Sequence, residues 1–167
     1  MATGRVQGLT VRIVLVEPEI PQNTGSIARL AAATRTPLDL VGPLGFSLDD
    51  RYMRRAGLDY WPLVDLSVHD DWAAWVDDHP PGRVIVNSAR RGRCYAEHEF
   101  ARDDLLLFGS ESKGLGAERI DALSAAGAEV LTIPIVEPGV RSLNLANAVS
   151  VILYEGLRQL GSLEVKS

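Results

Sequence analysis

The chain has 167 residues, 46% hydrophobic and 23% charged, with 17 basic and 22 acidic side chains and a formal net charge of −5. That length is enough for one domain with its own core, and no apolar run approaches the ~20 residues that a membrane-spanning helix needs. A single cysteine, Cys94, excludes an intrachain disulfide, and the acidic balance (pI about 5.2) argues against a protein that binds nucleic acid through its overall charge.

Residues 1–9 read as a tail without the apolar core of a signal peptide, residues 10–161 as a single domain, and 162–167 as a second tail. Val11 to Val16 is a near-continuous apolar run, expected as a parallel strand covered on both faces. Glu17 to Gln22 is a loop stiffened by two prolines, and Asn23 is the expected N-cap of a helix. Ile27, Leu30, Ala31 and Thr34 line one face of that helix, Arg29 lies on another, and Pro37 bounds it. A second strand covers Leu38 to Val41, and a helix is expected from Asp49-Asp50 to about Ala56. Leu63 to Val68 is a weaker strand. A helix with Trp72 and Trp75 follows Asp70-Asp71 and ends before Pro80-Pro81. Val84 to Val86, Leu105 to Phe108 and Val130 to Ile133 are further strands, with a helix over Ala117 to Ala126. The last helix runs from Leu143 to Leu160, with Ser142 as its expected N-cap. Its Leu145, Val149, Ile152, Leu153 and Leu160 repeat with helical period, and its apolar character predicts cover on more than one side.

Strands and helices alternate at βαβ spacing. The expected class is therefore α/β, a mostly parallel sheet with helices on both faces. Ligands in such sheets bind beyond the carboxyl ends of the strands. Four polar or glycine-containing loops fall there: residues 17–23, 87–93, 109–114 and 134–142. Nearly all the basic charge is arginine, concentrated in Arg51, Arg54 and Arg55 and in Arg90, Arg91 and Arg93. Two such clusters suit phosphate recognition, because the guanidinium fork binds phosphate bidentately. Any single one of these arginines reads more readily as solvated surface, and only the two clusters together balance that reading.

Several familiar sites are absent. The first strand runs into EPEIPQNTG, not the G-x-G-x-x-G of a dinucleotide loop. Gly109 to Gly114 has the glycine spacing of a phosphate loop, but Leu115 and Gly116 replace its Lys and Ser/Thr. His69, His79 and His98 form no metal-ligand pattern, and no G-x-S-x-G elbow occurs. No metal site is expected.

Three stretches remain: PQNTGSIAR (Pro21 to Arg29), LLLFGSESKGL (Leu105 to Leu115) and IPIVEPGVRSLNLANAVSVILYE (Ile133 to Glu155). In this order they resemble the three motifs of the SPOUT class of RNA methyltransferases. Within it, GFSLDD (Gly45 to Asp50) and RRAGLDYW (Arg54 to Trp61) resemble the minimal TrmL-type enzymes that methylate the ribose 2′-OH of the tRNA wobble nucleotide, a cytidine or modified uridine. The likeness spans about Val11 to Gly161. It implies a C-terminal deep trefoil knot, S-adenosylmethionine as cofactor with S-adenosylhomocysteine as product, tRNA as substrate, a homodimer and a cytoplasmic location.

The resemblance also implies roles for individual residues. Arg29 and Tyr154 match catalytic positions. Asn87 or, one residue on, Ser88 matches a cofactor contact, as do Gly109, Glu111, Gly114, Ile133, Ser142, Leu143 and Asn144. Asn23, Arg51, Arg54, Arg55, Arg90, Arg91 and Arg141 are expected on the substrate side. Lys113 and Ala146 depart from the usual arginine and serine, and the loop from Pro134 to Arg141 is one residue longer than expected. A free arginine, with a pKa of ~12 or more, is a poor general base. Arg29 is therefore expected to orient the hydroxyl and stabilise the developing alkoxide. Glu111 is expected to fix loop geometry by accepting backbone N–H bonds. Two alternatives stay open at this point: methylation of another tRNA or ribosomal RNA position, and an RNA-binding protein of the same fold without turnover.

Overall fold

A computed structural model describes residues 11–49, 60–78 and 83–163. Seven strands form one sheet: β1 (Arg12–Val16), β2 (Leu38–Val41), β3 (Leu66–His69), β4 (Arg83–Asn87), β5 (Arg93–Cys94), β6 (Asp104–Phe108) and β7 (Glu129–Thr132). Their order is β3-β2-β1-β6-β4-β7-β5, and every pairing is parallel. The helices are α1 (Pro21–Thr34), α2 (Trp72–Asp78), α3 (Ala117–Ala125) and α4 (Leu145–Gln159).

The alternation of β1 shows why its whole run is apolar. Ile13 and Leu15 point into one core with Ile27 of α1 and Val149, Ile152 and Leu153 of α4. Val14 and Val16 point to the other face, into a core with Trp75 of α2 and Ile120 of α3. Both faces are covered, as a parallel sheet requires.

The expected helix after Asp49, and with it Arg51, Arg54 and Arg55, lies outside the described residues. The weak strand begins later than expected. Trp61–Leu63 forms a short 3-10 turn, and β3 starts only at Leu66. β5 was not expected, since its two residues lie inside the arginine loop.

β7 pairs with β4 on one side and β5 on the other, so it stands in the sheet between two strands that precede it in the chain. Gln159 of α4 then ties the C-terminal helix to the β4–β6 connection. Its side chain accepts from the Phe100 backbone N–H at 3.0 Å and donates to the His98 carbonyl at 2.9 Å. Among the described residues, no helix is long and apolar enough to cross a membrane.

Candidate active site

At the carboxyl end of β1 the chain turns sharply. Glu17 takes a left-handed φ of 53°, and its N–H donates to the Val41 carbonyl at 2.7 Å. Its carboxylate pairs with Arg119 of α3 at 3.0 Å. α1 then starts at Pro21, earlier than expected, with Ile20 as an N-cap that offers no side-chain acceptor. Proline suits the first helical position because the N–H it lacks would have no partner there. Asn23 is therefore not the cap.

Glu111 supplies the missing acceptor from the β6 loop. Its carboxylate accepts from the backbone N–H of Glu19 at 2.8 Å, from that of Ile20 at 3.1 Å and from Asn23 Nδ2 at 3.1 Å. A carboxylate at the positive end of a helix also gains from the helix dipole. This is the loop-fixing role expected of Glu111. Glu19 returns the contact, accepting from Ser112 Oγ at 2.7 Å and Ser112 N–H at 3.0 Å.

The loop itself closes on Ser110 and Gly114, whose backbone groups exchange hydrogen bonds of 3.2 and 2.8 Å. Closure brings Gly114 so near Gly109 that a Cβ on Gly109 would lie 2.0 Å from the Gly114 carbonyl carbon. Only glycine fits at that position.

Asn23 also joins the third loop. Its Oδ1 accepts from Asn144 Nδ2 at 2.9 Å. Asn144 Oδ1 in turn accepts from the N–H of Ala146 at 2.9 Å and of Asn147 at 3.3 Å. Asn144, not Ser142, is thus the N-cap of α4. Ser142 is exposed, two residues upstream.

β4 brings in the fourth loop. The Ser88 N–H donates to the Leu131 carbonyl at 2.9 Å and extends the pairing with β7. Asn87 is opposite Leu131, and its Oδ1 is buried without a hydrogen-bond partner. Thr24 Oγ1 in α1 is likewise buried and unpartnered. A buried acceptor without a donor is costly unless something else supplies one. Ile133 follows β7 and is half-buried, while Leu143 before α4 is exposed.

The structure therefore gathers Asn23, Asn87, Ser88, Gly109, Glu111, Gly114, Ile133 and Asn144 at one end of the sheet. Other expected residues stand apart. Arg29 lies on the exposed side of α1, with its guanidinium carbon 4.8 Å from the centroid of the Tyr60 ring. Tyr154 is exposed, ten residues beyond Asn144 and so about 15 Å along the helix. Arg91 is held by Asp121 at 2.6 Å, and Arg93 by Glu129 at 2.7 Å. Arg90 and Arg141 are exposed and form no ion pair with a described residue. Sequence reading missed Glu19, Ser112, Glu17 and Arg119. A glutamate between two prolines, facing a serine-rich glycine turn, was the available signal for the first pair. Among the described residues, no cluster of His, Cys, Asp or Glu is arranged to hold a metal ion.

This sheet, with a glycine loop, a helix start and an asparagine cap drawn together beyond its carboxyl ends, defines the α/β class of SpoU-type methyltransferases. A solved structure described as "Structural insights into the 2-OH methylation of C/U34 on tRNA" matches it with a TM-score of 0.84 and 49% identity, covering 92% of this chain and 98% of that one. The SpoU methyltransferase AviRb from Streptomyces viridochromogenes, solved in complex with AdoMet, matches with a TM-score of 0.78 and 26% identity, over 94% of this chain and 63% of that one. The chain belongs to the SpoU rRNA Methylase family, whose model matches residues 10–154. Among its relatives is the tRNA (cytidine(34)-2'-O)-methyltransferase of Escherichia coli (strain K12), 43% identical over 151 residues that span 90% of this chain and 94% of that protein.

Proposed function

We propose that this protein transfers a methyl group from S-adenosylmethionine to the ribose 2′-OH of nucleotide 34 of tRNA, a cytidine or modified uridine. The observation that carries this reading is the Glu111–Asn23–Asn144 chain of hydrogen bonds, which joins the three motif loops in one place. The substrate follows from the E. coli relative and from the C/U34 methylation structure, each of which spans nearly the whole chain.

The residues present fit the cofactor. The unpartnered Asn87 Oδ1 offers an acceptor, and the backbone cradle at Gly109 offers a surface that a side chain would fill. Asn87, Ser88, Gly109, Glu111, Gly114, Ile133, Ser142, Leu143 and Asn144 would hold it. S-adenosylmethionine, when bound, supplies a methyl group already activated on a sulfonium. The chain's own task is then mainly alignment. Arg29 orients the ribose hydroxyl and stabilises the alkoxide as its proton leaves to water or a phosphate oxygen. Arg51, Arg54, Arg55, Arg90 and Arg141 contact the tRNA backbone. Arg91 would join them only by giving up Asp121.

A homodimer completes the reading. α4 buries Val149, Ile152, Leu153 and Leu157 within its own chain, so the expectation that it needs a partner for its apolar face has a weaker basis than its sequence implied. Ile20, Leu143 and Tyr154 are among the exposed large apolar side chains, and these are the ones a second copy would cover. A trefoil knot, formed by β7 and α4 within the β4–β6 connection, and a cytoplasmic location with the tRNA pool belong to the same proposal.

The deciding experiment is methyl transfer from labelled S-adenosylmethionine into tRNA, with the product located by alkali resistance. The expected result is resistance at the linkage after nucleotide 34. A base-methylated product, or a ribose methyl elsewhere, overturns the position while leaving the family intact. Sedimentation at micromolar concentration should give twice the chain mass.

A further inference from the structure

Arg29 is exposed on α1, and no described residue accepts a hydrogen bond from it or forms an ion pair with it. Its recorded neighbour is an aromatic ring, that of Tyr60, 4.8 Å from the guanidinium carbon. This is an unusual way to hold an arginine in a chain with 22 acidic side chains. A carboxylate would neutralise the guanidinium and occupy its donors. An aromatic face does neither: it attracts the cation through the ring quadrupole and leaves the in-plane N–H groups free.

Tyr60 is itself firmly placed. It opens the 3-10 turn Trp61–Leu63, and its carbonyl accepts from the Leu63 N–H at 2.8 Å. The Val64 N–H donates to the Trp61 carbonyl at 3.1 Å, and the Trp61 ring packs on the core shared by α1 and α4. Tyr60 is 37% exposed as a residue, so the pair stands where a large substrate can reach it. A half-buried neighbour packed on the core thus anchors the turn, the turn fixes the ring, and the ring fixes the cation.

We propose that Tyr60 is a positioning residue for methyl transfer, which holds the Arg29 guanidinium with its donors free to meet the ribose oxygen. The inference rests on the role given to Arg29 above. The Tyr60 hydroxyl plays no part in it, because the ring face supplies the attraction. Exposed cation–π pairs are worth ~0.5–1 kcal/mol and desolvated ones ~2 kcal/mol, so loss of the ring is expected to lower turnover about 2- to 30-fold as substrate covers the pair.

The test is a double-mutant cycle in single-turnover methylation of tRNA with excess enzyme, using Tyr60→Phe, Tyr60→Leu, Arg29→Ala and Tyr60→Leu/Arg29→Ala. Tyr60→Phe should keep turnover within about twofold of the parent. Tyr60→Leu should lower the rate of the chemical step, with cofactor affinity and the tRNA concentration dependence unchanged, and should cost nothing further in the Arg29→Ala background. If Tyr60→Leu does not fold, Tyr60→Ser at the same exposed position is carried through the same cycle. The proposal is overturned if Tyr60→Leu keeps full turnover while Arg29→Ala is impaired. It is equally overturned if the Tyr60→Leu loss persists undiminished without Arg29, or if Tyr60→Phe is as damaged as Tyr60→Leu. Full turnover by Arg29→Ala is a different failure, since it removes the role of Arg29 on which the inference stands.

Discussion

Gly109→Ala is the sharpest perturbation of the site. The new methyl would meet backbone only: Gly114 C at 2.0 Å, Leu115 N at 2.1 Å and Gly114 O at 2.4 Å. No side chain can rotate away, so the loop must open. Opening sacrifices the two Ser110–Gly114 hydrogen bonds, each worth ~1 kcal/mol net, on top of the ~1–3 kcal/mol typical of overpacking. The expected loss is about 3–5 kcal/mol. A domain of this size loses ~2–4 °C in Tm per kcal/mol, so a fall of about 6–20 °C is expected in differential scanning calorimetry. Gly116→Ala is the control. Its φ of 81° and ψ of 143° lie near a region essentially reserved for glycine, but nothing lies within 4 Å of the added methyl, so only a backbone penalty of ~1–3 kcal/mol applies. S-adenosylmethionine at ~100 times its Kd should stabilise the parent and Gly116→Ala by ~2.7 kcal/mol and leave Gly109→Ala unmoved. A Gly109→Ala protein that melts with the parent and binds cofactor with the same Kd would refute the reasoning.

Glu111→Gln replaces a carboxylate that accepts three hydrogen bonds by an amide with one acceptor oxygen. Charge-assisted bonds contribute ~1.5–3 kcal/mol, so a loss of about 2 kcal/mol in urea unfolding and weaker cofactor binding by calorimetry are expected. Acid stability depends on Glu155, whose pKa is pulled down to about 2 by hydrogen bonds from Arg158 and Gln159. A depressed carboxylate contributes stability above its ordinary value of 4.5 and loses it as pH falls towards 2, so Glu155→Gln should flatten the Tm–pH curve in that window. Burial pushes Asp104 the other way, above its ordinary 3.8, against the pull of the Ala101 N–H, Arg83 and His98. Its contribution is therefore full below 3.8 and erodes as pH rises through its folded value, a slope that Asp104→Asn should remove.

Local pattern made the strands legible, and long-range partners decided what it could not. The apolar run of β1 implied cover on both faces, and both cores are there. Helix starts were misread for one reason. Asn23 and Ser142 are good caps by residue type, but a cap is chosen by the acceptors that reach it. Glu111, 88 residues from Asn23, took over the start of α1, and the bond between Asn23 and Asn144, 121 residues apart, favours Asn144 at the start of α4. Arg91 and Arg93 looked like phosphate ligands beside Arg90 because Asp121 and Glu129 lie 30 and 36 residues further on. β5 was invisible because two residues of arginine and cysteine carry no strand pattern, and their pairing depends on where β7 runs. The Arg29–Tyr60 contact likewise joins separate segments, and nothing in the periodicity of α1 announces it.

The two ends of the sheet carry different kinds of polar group. At the amino ends of the strands, Arg83, Arg93, His98, Asp104 and Glu129 form one charged cluster, in which the buried Asp104 Oδ1 has an ion-pair contact but accepts no hydrogen bond. Arg83 Nε meets Asp104 at 3.0 Å, and Arg83 Nη2 meets His98 Nε2 at 3.0 Å. Both ring nitrogens of His98 face an arginine, since Nδ1 lies 3.2 Å from Arg93 Nη2, and Nδ1 is also 3.0 Å from Glu129 Oε2. The Phe100 ring packs edge-on against His98, and its Cδ1 would lie 3.2 Å from a Cβ at Gly156 of α4. Removing any one member would strand a buried partner, which makes this end rigid in its pairing. At the carboxyl ends, Asn87 Oδ1 and Thr24 Oγ1 are buried with no hydrogen-bond partner. Unmet hydrogen-bonding capacity weakens a fold unless a ligand meets it, and the two orphaned oxygens beside the motif loops are the support for the proposed cofactor site. The charged cluster and the two Gln159 hydrogen bonds hold the β4–β6 connection against α4, and the motif loops are built on that frame.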